Sequence, residues 1–196
     1  THWIGGMGVL VLILAVLPLA GGYNMHLMRA ESPGPTVGKL VPRVRHTARI
    51  LYKIYIVMTI VQIVLLLASG MSPFDAMTLS FGTAGTGGFG ILNSSIGSYS
   101  IVSQAIITIF MILFGVNFSV YYLISARKPK QAVMHEEMRY YLGIILVAIL
   151  LITINIKDGF ESLLEAFHHA AFQVASIITT TGYSTADFNV WPEFSK

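Results

Sequence analysis

The chain contains no cysteine. That absence excludes disulfides and thiolate metal centres, and it leaves the redox compartment unreadable. Charge is scarce too. Asp, Glu, Lys and Arg make up 11% of the 196 residues, where soluble domains carry about 25%. With 55% of residues hydrophobic, this composition is that of a membrane protein. No cleavable signal peptide is evident. The chain opens on Thr1 and runs almost at once into apolar sequence, so it reads as starting inside a longer protein.

A helix that spans a bilayer needs about 20 mostly apolar residues. Four stretches meet or approach that length: 4–20, Ile50–Ala68, 101–124 and 140–156. Gly21-Gly22 ends the first, and Pro18 near its end is tolerable there. Lys53 lies near the end of the second, where it can snorkel to the interface. The expected fold class is therefore an all-α membrane protein.

Basic residues concentrate in two links. Arg29, Lys39, Arg43, Arg45, Arg49 and Lys53 lie between the first and second spans, and Arg127, Lys128, Lys130 and Arg139 between the third and fourth. Lys157 and Lys196 are the only others, and they share their side with Asp75, Asp158, Glu161, Glu165, Asp187 and Glu193. The positive-inside rule puts the basic links in the cytoplasm. The acids would then raise the local cation concentration on the outer side, or serve simply as solvated loop charges.

Two loops repeat a pattern. Thr83-Ala84-Gly85-Thr86-Gly87-Gly88-Phe89-Gly90 follows a short segment at 73–82, and Thr179-Thr180-Thr181-Gly182-Tyr183-Ser184 follows one at 165–178. Both segments are too brief to cross a bilayer. At a spacing of 94 residues Thr86 falls on Thr180, Gly87 on Thr181, Gly88 on Gly182 and Phe89 on Tyr183. Such a repeat sets the architecture. The order is span, half-helix, loop, span, complete once and truncated once, and the first span looks like the close of an earlier copy.

Non-helical backbone at membrane depth is tolerated only where it is buried in protein or lines a cavity. Rings of backbone carbonyls can replace a cation's hydration shell. Gly88 and Gly182 would let carbonyls face one axis, because glycine adopts backbone conformations that a Cβ disfavours. Thr86 and Thr180 can offer carbonyl and hydroxyl oxygens together. Phe89 and Tyr183 are expected to point away from the axis and wedge the loops against neighbouring helices. The half-helices would aim their partly negative C-terminal ends at the ion. The bland alternative for either loop is a Gly-rich turn between packed helices.

Other features carry less. His168-His169 could ligate a metal, yet adjacent helical residues do not share a face, and a packing role is the simpler reading. Asn117 and Gln62 lie within spans, where polar groups find interhelical partners. Gly5-Gly6-x-Gly8 fits close helix packing, and with no strand before it a nucleotide loop is a poor reading.

Taken together these residues resemble the TrkH/KtrB/HKT superfamily of potassium transporters, on its bacterial TrkH-like side. The resemblance is carried by His2-Trp3-Ile4-Gly5-Gly6-Met7-Gly8, Arg29-Ala30-Glu31-Ser32-Pro33-Gly34-Pro35, Phe74-Asp75-Ala76 with Ser80, and Thr86-Gly87-Gly88-Phe89. It continues through Gly115-Val116-Asn117-Phe118, the run from Ser176 to Tyr183, and Trp191-Pro192. It implies helix–pore-loop–helix units around a pseudo-fourfold axis, incomplete here. Residues 1–29 would close unit one, 30–45 form a cytoplasmic link, 46–126 make unit two, and 127–196 hold a second link with the first helix and pore loop of unit three. Gly88 and Gly182 would be the filter glycines of units two and three. Ser184, in place of a second glycine, implies a shorter and less selective filter. The loop that helps set potassium against sodium preference, the gating loop and unit four lie outside the chain.

The implied function is passive, filter-selected potassium uptake across a multi-pass bacterial inner membrane, not enzymatic chemistry. Potassium, as substrate, would be held by the backbone carbonyls of Thr86, Gly87, Gly88, Thr180, Thr181 and Gly182, with no covalent cofactor. Membrane lipid, a second copy and a cytosolic nucleotide-binding regulatory ring are the implied partners, and nucleic acid is not. The rivals are a sodium-permeable conductor of the same build, a non-conducting membrane scaffold, and an enzyme using the loops for a nucleotide. The last would need a strand and a phosphate-binding Lys or acid that neither loop supplies.

Overall fold

The computed structural model describes residues 2–8, 44–125, 127 and 129–196. Most of the first predicted span, with Pro18 and Gly21-Gly22, lies outside the described residues. So do Lys128, nearly all of the 30–45 link and the motif from Arg29 to Pro35. The described part is built of helices. A short π-helical turn, Ile4–Gly8, precedes α1 (Val44–Ala68), α2 (Pro73–Ala84), α3 (Ile101–Gly115), α4 (Phe118–Ser125), α5 (Pro129–Val133), α6 (Glu136–Ile156) and α7 (Leu163–Ile178).

Two helical stretches are long and apolar enough to cross a membrane, Ile50–Ala68 and Glu136–Gly159. On α1 one face is buried at Tyr55, Thr59, Gln62 and Leu66, while Val57, Ile60, Val64 and Leu67 are exposed. Lipid tails are as apolar as these side chains, so their exposure there carries no hydrophobic penalty, and packing rests on close contact and polar pairing. The buried face meets α2 and α3. Helix α7 packs between α3 and α6, and its Ala166 and Ala170, one turn apart and fully buried, permit close approach.

The predicted span at 101–124 is not one straight helix. It breaks by 87° between α3 and α4. Val116 turns extended (φ −69°, ψ 138°), and the Asn117 side-chain oxygen accepts the Ser119 N–H at 2.9 Å, which starts a new helix. The break strands carbonyls at the end of α3. The Tyr121 and Tyr141 hydroxyls take two of them, Leu113 at 2.6 Å and Ile112 at 3.1 Å. Asn117 also donates to Glu137 at 2.9 Å, tying the break to the start of α6. The expectation of an interhelical partner therefore holds for Asn117. It does not hold for Gln62, whose buried amide has no hydrogen-bond partner among the described residues.

Helices α2 and α7 are the two half-helices. Each starts on a serine cap: Ser72 accepts from the Asp75 N–H and Ser162 from the Glu165 N–H, both at 3.1 Å. The acid in each first turn favours the helix dipole. The caps are 90 residues apart whereas the loops are 94 apart, so α7 is one turn longer, about 6 Å. Their starts and stops lie within a few residues of the predicted segments.

Candidate functional site

Both half-helices end the same way. In α2, Gly87 N–H donates to Gly82 O (2.7 Å) and Thr86 N–H to Thr83 O (3.2 Å). In α7, Thr181 N–H donates to Ser176 O (2.8 Å) and Thr180 N–H to Ile177 O (3.0 Å). This nested pair of bonds is a Schellman motif, which sets its penultimate residue in the left-handed region. Helix α1 ends in the same motif and uses Gly70 there, at φ 88°. The half-helices instead place threonines: Thr86 at φ 51° and Thr180 at φ 57°. A β-branched residue in that region is strained, and strain of this kind concentrates at functional sites. Both threonine side chains are exposed.

Two residues on, Gly88 and Gly182 are also left-handed, at φ 67° and 89°. The two loops meet here. A Cβ on Gly88 would collide with the Thr181 carbonyl oxygen and stand 3.1 Å from Gly182 Cα. A Cβ on Gly182 would stand 3.9 Å from Gly88 Cα. Loops 94 positions apart in sequence thus share one contact, and glycine is what allows it.

The N–H groups of Thr86, Gly87, Thr180, Thr181 and Gly182 are directed back into the half-helices, while the carbonyls of Thr86, Gly87, Gly88, Thr180, Thr181 and Gly182 accept no hydrogen bond among the described residues. Unclaimed peptide oxygens are hard donors of the kind that replace a cation's water. The Thr181 hydroxyl is committed elsewhere. Thr179 spends its proton on Ala175 O (2.7 Å), so Thr181 donates to Thr179 Oγ1 (2.7 Å).

The aromatics part company. Tyr183 is buried, wedged against α2, and its hydroxyl donates to Leu79 O at 3.3 Å. Phe89 is 69% exposed and meets the His2 ring at 5.1 Å between centroids. The expected wedge therefore forms in the second loop, where α2 lies alongside; Phe89 stays largely exposed, with the His2 ring beside it.

A polar network missed by sequence reasoning braces the second loop. Gln104 donates to the carbonyls of Ile96, Gly97 and Tyr99 at 2.9–3.3 Å, so its oxygen accepts from His168 Nε2 at 2.7 Å. His169 Nδ1 pairs with Thr185 Oγ1 at 2.8 Å. Burial, and then His169, holds His168 below the ordinary 6.5. Burial lowers His169 too, and Glu165 partly opposes it. Among the described residues no three His, Asp or Glu side chains converge as a metal site. The adjacent histidines are bound into the fold.

Comparison with known proteins gives a consistent result. The model of a family described as "TrkH: Cation transport protein" matches residues 1–157. The Trk system potassium uptake protein TrkH of Escherichia coli K12 is 38% identical over 98% of this chain and 41% of its own length. TrkG of the same organism is 34% identical over 97% of the chain and 40% of its own length. The crystal structure of the potassium transporter TrkH from Vibrio parahaemolyticus superposes with a TM-score of 0.79 at 32% identity, covering 99% of this chain and 40% of that one. The chain thus spans about 41% of the length of the curated relatives it matches.

Proposed function

The chain belongs to the TrkH family of cation transport proteins, which are transporters and not enzymes, and on that premise we propose that it forms part of a potassium uptake pathway. The loops at 86–89 and 180–183 are two sides of a selectivity filter. Potassium passes as substrate along the carbonyls of Thr86, Gly87, Gly88, Thr180, Thr181 and Gly182, moved by its own gradient.

One observation carries this reading. Two loops in register hold the same strained Thr-x-Gly backbone, touch at Gly88 and Gly182, and leave their carbonyls unclaimed among the described residues. The turn after α1 places glycine at the equivalent left-handed position, and the turns at Ser95 and Arg127 place residues without β-branching there, whereas both loops place threonine. The half-helix C-termini add partial negative charge near the same oxygens.

A sodium-permeable variant of this function has one observation in its favour. Ser184 stands where a second glycine would continue the carbonyl run. It is tied instead to the first loop region, its N–H to Ser95 Oγ (3.2 Å) and its carbonyl to the Ile96 N–H (3.0 Å). The filter is therefore short on this side.

The same proposal includes the setting: a multi-pass protein of the bacterial inner membrane with its basic links cytoplasmic, paired with a second copy and docked on a cytosolic nucleotide-binding ring. The exposure of Arg127, Lys130 and Arg139 supports a contact on this face.

Rubidium uptake by potassium-uptake-deficient cells expressing the complete reading frame that encodes this chain tests the proposal. Uptake well above background, competed by potassium more strongly than by sodium, supports it. Normal membrane abundance with background flux removes it in favour of a scaffold.

A further inference from the structure

We infer that Ser176 is a positioning residue that withdraws the Tyr183 carbonyl from the ion path, so that the outer layer of the filter is lopsided. This rests on the filter reading above and adds a determinant of selectivity to it.

Ser176 lies in the last turn of α7 with 1% exposure. It grips three consecutive residues of the loop. Its carbonyl accepts the N–H of Thr181 (2.8 Å) and of Gly182 (3.4 Å). Its hydroxyl donates to the Tyr183 carbonyl at 2.6 Å. A carbonyl can only accept, so the hydroxyl proton is committed. Two carbonyls of one loop thus diverge: that of Thr181 faces Gly88 on the neighbouring loop, and that of Tyr183 faces back into α7.

The other loop lacks this device. Its counterpart of Ser176, at the spacing of 94, is Gly82. Gly82 O accepts from Gly87 N–H alone, and the Phe89 carbonyl accepts nothing among the described residues. Gly82 is also the position at which a side chain would strike the Tyr183 hydroxyl. The serine that holds one carbonyl and the glycine that admits the tyrosine are thus equivalent positions serving one aromatic. The run of free oxygens continues through Phe89 in the first loop and stops at Gly182 in the second. An ion in the outermost layer keeps water on the Tyr183 side.

Removing the hydroxyl releases the Tyr183 carbonyl. Ser176→Ala is expected to change the rubidium-to-sodium uptake ratio and the apparent KM for rubidium by roughly three- to ten-fold, the ratio that one interaction of hydrogen-bond size produces. Ser176→Thr keeps the hydroxyl and should restore the wild-type ratio. The measurement is concentration-dependent rubidium and sodium uptake in cells expressing the complete reading frame, normalised to membrane abundance. If Ser176→Ala is not inserted, Ser176→Cys decides, because a thiol of similar size is a weak donor and should move the ratio the same way. An unchanged ratio and KM in whichever variant reaches the membrane overturns the inference while wild-type uptake leaves the filter reading standing. Absent wild-type uptake would instead remove the filter reading.

Discussion

The Tyr183 hydroxyl lies over Gly82, donating to the Leu79 carbonyl beside it at 3.3 Å, and a Cβ at position 82 would collide with it. The second loop is thereby propped on the first half-helix. Gly82→Ala should displace the ring, at a cost in stability of about 1–3 kcal/mol, as for other overpacked sites. Tyr183→Phe should lose about 0.5–1.5 kcal/mol with the hydroxyl. The double variant should be milder than the sum, because the missing hydroxyl vacates the space the methyl needs. A double-mutant cycle on apparent melting temperature in detergent checks this; strict additivity would separate the two residues.

Gly88→Ser should weaken discrimination of potassium from sodium with membrane abundance retained. The new side chain meets the Thr181 carbonyl and also forces a non-glycine residue to φ 67°. Relative permeability in the complete protein is the readout, and an unaltered value takes Gly88 out of the filter.

Asn117→Ala should cost about 1–2 kcal/mol, combining loss of the α4 cap and of the bond to Glu137. Discrimination of potassium from sodium should change less than in Gly88→Ser. Thermal stability equal to wild type would show that the 87° break is held by the two tyrosine hydroxyls and not by this side chain.

Acidification should destabilise the fold. His168 and His169 are held below 6.5, so the unfolded chain takes up their protons first. Stability is lost as pH falls below about 6.5 until the lowered folded values are passed. His168→Gln keeps a donor toward Gln104 and should flatten the fall in apparent melting temperature between about pH 6.5 and 5. An identical profile in the variant would assign the effect elsewhere.

Lys130→Cys tests orientation on a background with no cysteine in this chain. A thiol there should resist membrane-impermeant reagents in intact cells and react after permeabilisation. Ready labelling of intact cells would invert the topology.

The half-helices and loops were legible because their determinants are local: an apolar segment too short to cross a bilayer, then Thr-x-Gly. Their pairing at Gly88 and Gly182 was legible only as a repeat. The break at Val116 was missed, although Gly115-Val116-Asn117 holds the signal, a small residue followed by a good N-cap. Apolar run length masked it. The contacts of Ser176 with Tyr183 and of His168 with Gln104 were not legible, because which hydroxyl reaches which carbonyl is decided by helix placement. Gln62 shows the converse: a polar residue in a span invites a partner, and packing supplies none among the described residues.

The mismatch between a cap spacing of 90 and a loop spacing of 94 separates two tolerances. Duplicated units can differ by a whole turn between cap and loop, because the added turn displaces only the cap. A single residue gained or lost between Thr180 and Gly182 would rotate every later peptide and break the match with its sister unit. Length differences among natural variants should therefore gather between the serine cap and the loop and leave the Thr-to-Gly interval untouched.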